Sequence, residues 1–84
     1  MERAQVFQEV TEICKDVFGN SAITLTDDST AQDVEEWDSL THLTLIYEIE
    51  AKYDVQFTLD EAMKSPNLGE LVNALMKRLA EKSI

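Results

Sequence analysis

"WDSLTHLTLIYEIE", residues 37–50, sets one serine behind a tryptophan and an aspartate, at the point where a strongly apolar helix begins. Aspartate is a favoured N-cap, because its carboxylate accepts the N–H groups that a first turn leaves without partners. A helix therefore starts at Asp38 or Ser39. With successive residues turned by about 100°, Leu43, Leu45, Ile46, Ile49 and Tyr53 fall on one broad face, which is expected to be core. Ser39 then stands on the first turn of that helix, where its hydroxyl projects outward.

Upstream, residues 3–18 place Val6, Val10, Ile13 and Val17 at spacings of four, three and four, with Phe7, Cys14 and Phe18 alongside, which predicts an amphipathic helix. Gly19 and Asn20 stop it, since both tolerate the left-handed backbone of a helix end. Residues 21–36 are rich in Ser, Thr and Asp and predict a long loop. Downstream, Val55 and Phe57 alternate without settling helix or strand, and a short helical turn is expected over Leu59–Lys64. Pro66 breaks the chain. Asn67 with Glu70 has the form of a capping box opening a last helix, with Leu68, Leu71, Val72, Leu75 and Leu79 inward and an end near Glu81. Gly69 should weaken its first turn slightly. The expected architecture is all-α: a four-helix bundle with three main helices, a short third one and a long first loop.

At 84 residues the chain reads as one domain, residues 1–84. Hydrophobic residues make up 44% of it, too many for a disordered segment. Seventeen acidic residues against seven basic ones give a net charge of −10, which argues against nucleic acid, because phosphate binding needs a basic surface. Charged partners should be basic. No apolar run approaches the roughly 18 residues of a membrane span, and no secretory leader is recognisable. A single cysteine, Cys14, can form no internal disulfide and no metal cluster, which suits a cytoplasmic setting. "DDSTAQDVEEWD" lacks the aspartate spacing and central glycine of a calcium loop.

Three readings of Ser39 compete. It can simply help start a helix. It can be a nucleophile, since Asp38, Ser39 and His42 are close in sequence and residues i and i+3 of a helix are neighbours. A hydrolase, however, also needs a base oriented by a third group, an oxyanion hole and a walled pocket. There is no Gly-x-Ser-x-Gly elbow, and the chain has only two glycines. Thirdly, the hydroxyl can be an attachment point, because a phosphodiester there would meet free backbone N–H groups and the positive end of the helix dipole.

"DSL" at residues 38–40, opening a long amphipathic helix in an acidic four-helix chain of this length, resembles the acyl carrier proteins and the related peptidyl carrier domains, over Val6 to Leu79. The resemblance implies an acyl-carrier-type bundle and no enzymatic activity. It implies that Ser39 receives 4'-phosphopantetheine from coenzyme A, by the action of a separate phosphopantetheinyl transferase. Asp38 would support that transfer by helping to place its metal ion. Acyl or aminoacyl groups would ride as thioesters on the arm's terminal thiol, between loading enzymes and downstream synthases, with the carrier a monomer. Cys14 is not that thiol, since it falls on the apolar face of the first helix. The alternative is an unmodified helical interaction module.

The chain departs from the fatty-acid-type pattern. Trp37 stands where glycine is frequent, and Thr41 and Thr44 where carboxylates are common, while Asp33, Glu35, Glu36 and Asp38 shift acidity toward the loop. A specialised carrier is expected. Trp37 can be an apolar plug or a partner contact, and average burial of tryptophan favours the plug. His42 faces the side of Ile46 and Ile49, as a locally hydrogen-bonded boundary histidine would; one histidine without cysteine partners makes no metal site. Leu40 and Tyr47 lie off the core face, as edge packing or as docking contacts. With Glu35, Glu36 and Glu48 they form the expected partner surface.

Overall fold

A computed structural model describes residues 2–82, which form α1 (Arg3–Phe18), α2 (Ser39–Tyr53), α3 (Leu59–Met63) and α4 (Leu68–Lys82). No strand occurs among the described residues, so Val55 and Phe57 lie half-buried in the extended link between α2 and α3. α1 packs against both α2 and α4, and α3 rests on α4. The core is continuous through Val6, Val10 and Cys14 of α1, Leu45 and Ile49 of α2, and Leu68, Leu71, Val72 and Leu75 of α4, all fully buried. Burial pushes the Cys14 thiol up to about 12, so it is held as a neutral, inert hydrophobe.

Two expectations need correction. Leu43 is 53% exposed rather than core. Leu45, Ile46, Ile49 and Tyr53 are the buried residues of α2, which packs against α1, and Leu43 lies outside that face. Its exposed neighbours one turn either way are Leu40 and Tyr47. Gly69 does more than weaken a turn. A Cβ built there would lie 2.9 Å from the Asp27 carbonyl oxygen and 2.7 Å from its carboxylate, so only glycine admits the first loop this close.

That contact organises the loop. α1 ends at Gly19, whose φ of 65° is the left-handed conformation glycine takes without cost. The chain then buries Leu25, Val34 and Trp37 while local side chains hold its turns: Ser29 Oγ accepts the Thr26 N–H, and the Asp33 carboxylate accepts the Thr30 N–H. The Leu68 and Gly69 N–H groups, unsatisfied by α4 itself, donate to the Ser29 and Asp27 carbonyls at 2.9 Å each. Asn67 accepts the Glu70 N–H, one half of the expected box. Arg3 crosses from α1 to donate to Asp27, Asn73 and the Gly69 carbonyl. The loop thus serves as the N-terminal cap of α4.

Elsewhere the helices are tied by side chains. The Tyr53 hydroxyl donates to Glu9, joining α2 to α1, and burial followed by that contact pushes the phenol well above its ordinary range. Arg78 of α4 donates through Nε and Nη2 to Glu61 of α3 at 3.0 and 2.7 Å. Glu61 also accepts the Thr58 N–H, closing the capping box of α3. A Gly69→Ala variant measures the loop contact. Alanine gains about 1 kcal/mol of helix propensity, but the Asp27 carbonyl cannot retreat without losing its hydrogen bond. Urea melts should show a net loss of roughly 1–3 kcal/mol, and a more stable variant would refute the close approach.

Candidate functional site

The site is built around the start of α2. Asp38 is its N-cap, and one carboxylate oxygen, Oδ1, accepts the Leu40 and Thr41 N–H groups at 3.0 and 2.9 Å. Thr41 answers with its hydroxyl, which accepts the Asp38 N–H at 2.8 Å and donates to the Glu36 carbonyl at 2.8 Å. Threonine therefore occupies the box position usually filled by Glu or Gln. Its presence where a carboxylate was expected has a local structural cause. The Thr41 N–H foremost holds the Asp38 carboxyl below its usual range, aided by the Thr41 side chain and the Leu40 N–H.

Ser39 follows as the first helical residue. It is exposed, and among the described residues its hydroxyl has no hydrogen-bond partner. It opens onto a groove of about 290 Å³ between the start of α2 and the end of α3, lined by Ala31, Trp37, Asp38, His42, Met63 and Pro66. The nucleophile reading fails on this geometry. Asp38 Oδ1 is spent on the cap, and both ring nitrogens of His42 are engaged: Nδ1 accepts the Trp37 indole N–H at 3.0 Å, so Nε2 carries the proton and donates to the Ala62 carbonyl. His42 therefore has no free nitrogen to take a proton from Ser39, and the Asp38 carboxyl, held low by the cap, is too weak a base to do so.

Trp37 is the plug. It is 6% exposed, with its ring 5.7 Å from that of Phe18 and stacked over His42. His42 is the boundary histidine expected from its helical angle, but its partners were not legible, since the Ala62 carbonyl is twenty residues away. Of the expected partner contacts, Leu40 and Tyr47 are exposed by 73% and 66% on the outer face of α2. Glu48 is exposed beside them, on a shallow groove it shares with Thr44 and with Ile13, Asp16 and Val17 of α1. Glu35 is exposed as well. Glu36 is half-buried and accepts the Asn20 side-chain N–H at 2.9 Å, which braces the loop. Sequence reasoning missed the exposure of Leu43 on α2 and of Leu59 and Met63 on α3. Among the described residues no group of side chains is arranged to hold a metal ion, and no helix is long and apolar enough to cross a membrane.

Four helices, a long capping loop and a free serine at the head of α2 define a carrier-type bundle. The solution structure of a holo acyl carrier protein from Geobacter metallireducens is similar to it, with a TM-score of 0.86 and 37% identity over 93% of this chain and 90% of that one. The family described as the phosphopantetheine attachment site matches residues 8–75, and no curated protein matches the chain. The chain belongs to the phosphopantetheine-binding family of acyl carrier proteins. It is a carrier with a 4'-phosphopantetheine prosthetic group, and not an enzyme.

The cap gives the site an acid limit. Because the Asp38 carboxyl titrates lower in the folded chain than in the unfolded one, its contribution is fully present above the unfolded value of about 4. It is lost as pH falls through the folded value. The amide signals of Leu40 and Thr41 should therefore lose protection first in an NMR acid titration, and Asp38→Ala should show that loss already at neutral pH. Equal protection in both proteins would remove the cap from this role.

Proposed function

We propose that Ser39 carries the 4'-phosphopantetheine arm and that the protein delivers acyl or aminoacyl groups within a specialised biosynthetic pathway of the cytoplasm. The observation that carries this reading is the exposed, unpartnered hydroxyl at the first position of α2, bordering an open groove. The residues fit the group. A phosphodiester on Ser39 lies at the positive end of the α2 dipole. Asp38 binds its two amides through Oδ1, and no hydrogen bond engages Oδ2, which leaves that oxygen to support transfer. When bound, the arm supplies a terminal thiol for the cargo. The base that takes the Ser39 proton belongs to the transferase, which is why none is available here.

The specialised character is supported by the outer face of α2. Leu40, Leu43 and Tyr47 form an exposed apolar stripe, and Thr44 donates its hydroxyl back to the Leu40 carbonyl, so carboxylates are few along it. Partners on such a face gain contact energy from apolar burial. Steering falls to Glu35 and Glu48, with Glu36 contributing less because Asn20 engages its carboxylate.

Incubation with coenzyme A and a broad-specificity phosphopantetheinyl transferase should add one phosphopantetheinyl mass to the wild type and none to Ser39→Ala, which keeps its fold. An unchanged wild-type mass across several transferases would leave an unmodified helical interaction module. With a loading ligase, Tyr47→Ala should raise the off-rate, while Glu35→Lys should slow association and flatten its salt dependence. Loading by a fatty-acid synthase enzyme that is equal to or better than loading by an adenylating ligase encoded nearby would overturn the specialised pathway.

A further inference from the structure

We infer that His42 is a positioning residue that latches α3 against the start of α2, sets the width of the groove beside Ser39, and releases that hold when its ring is protonated. The functional side of this inference rests on Ser39 as the attachment site; the latch itself does not. Trp37 and His42 line the groove from the α2 side, and Met63 and Pro66 line it from the α3 side. The His42 ring spans the two, accepting from the Trp37 indole N–H at 3.0 Å and donating to the Ala62 carbonyl at the end of α3. α3 has five residues, too few to hold itself, and its other side-chain tie to a neighbouring helix is Glu61 to Arg78 of α4. The position of Met63, and of the turn to Pro66 that follows it, thus depends on the bond made at Ala62 together with the packing of Ala62 in the core.

Protonation changes the relay in one direction. A proton on Nδ1 faces the indole N–H with a second donor, so the Trp37 hydrogen bond cannot survive; Nε2 keeps its proton, and the Ala62 bond is lost because the ring turns away from the indole. Histidine is the side chain whose charge changes between about pH 5 and 8. The charged groups around the ring do not take up the new donor in its present place. Asp38, on the same groove, holds the Leu40 and Thr41 N–H groups through Oδ1, and no hydrogen bond joins its Oδ2 to the His42 ring. Glu36 is engaged by Asn20, and Glu61 of α3 by Arg78 of α4. α1 meets the relay through the Phe18 ring, packed on Trp37.

Trp37 is the chain's one tryptophan, so its fluorescence reads the relay directly and without any modification of Ser39. Wild-type apoprotein titrated from pH 8 to 5 should show a one-proton change in Trp37 emission. Over the same range, the protection of amides in residues 61–64, corrected for the intrinsic pH dependence of exchange, should fall roughly five- to tenfold, as the loss of one hydrogen bond allows. His42→Gln, whose amide both accepts and donates, should keep slow exchange and lose the pH dependence. His42→Phe should exchange fast at every pH. The latch is overturned if wild-type exchange in α3 does not follow the emission change, or if His42→Gln titrates as the wild type does; both readouts stand even if His42→Phe fails to fold. Failure of transferase labelling at Ser39 would leave these results unaffected and would sink only the functional reading.

Discussion

The reciprocal cap between Asp38 and Thr41 is the constraint on which the site depends. It specifies which residue is the first of α2. A start one residue later would turn every side chain of the helix by about 100°. Leu45 and Ile49 would leave the core and Ser39 would lose its place at the groove. Trp37 secures the same register from the other side of the cap, because its ring is buried on Phe18 and its indole is bound to His42. Polar chemistry at residues 38 and 41 and apolar anchoring at residue 37 thus act on a single turn, and the unpartnered hydroxyl between them is what that turn presents.

The long first loop has a comparable role at the start of α4. It caps α4 with the Ser29 and Asp27 carbonyls, and Arg3 and the absence of a side chain at Gly69 let it come close enough to do so. This accounts for a loop of such length in so small a fold: its backbone groups are spent on a helix end that has few partners of its own. The cost is a backbone contact that tolerates no Cβ.

Much of this was legible because it repeats at helical spacing. The α1 and α4 faces, the stop at Gly19 and the Asp38 cap follow from residues within a few positions of one another, where local sterics and hydrogen bonding dominate. Cys14 in the core and Trp37 as a plug follow from average burial. Leu43 was misplaced because periodicity gives the direction of a face but not its width, which is set by what packs against it. Gly69, the Trp37–His42–Ala62 relay and the Arg78–Glu61 pair were not legible, since each joins positions distant in sequence and none leaves a period. Thr41 carried a signal that could have been used: it stands at the third helical position after an aspartate cap, where its hydroxyl can close the box.

A chain with a net charge of −10 would be expected to meet its partners through charge, yet many of its carboxylates are already occupied. Glu9 holds Tyr53, Asp27 holds Arg3, Glu50 accepts the Phe57 N–H at the end of α2, and Glu61 serves both α3 and Arg78. What such groups contribute is internal order. Those left exposed near Ser39, Glu35 and Glu48, flank an apolar stripe rather than fill it. Exposed charges act over about a Debye length and are screened by salt, whereas burial of Leu40, Leu43 and Tyr47 against a partner is not. The division follows from the turn at residues 37–41: with Asp38 and Thr41 committed to starting the helix, recognition along α2 passes to the apolar residues that the same turn orients outward.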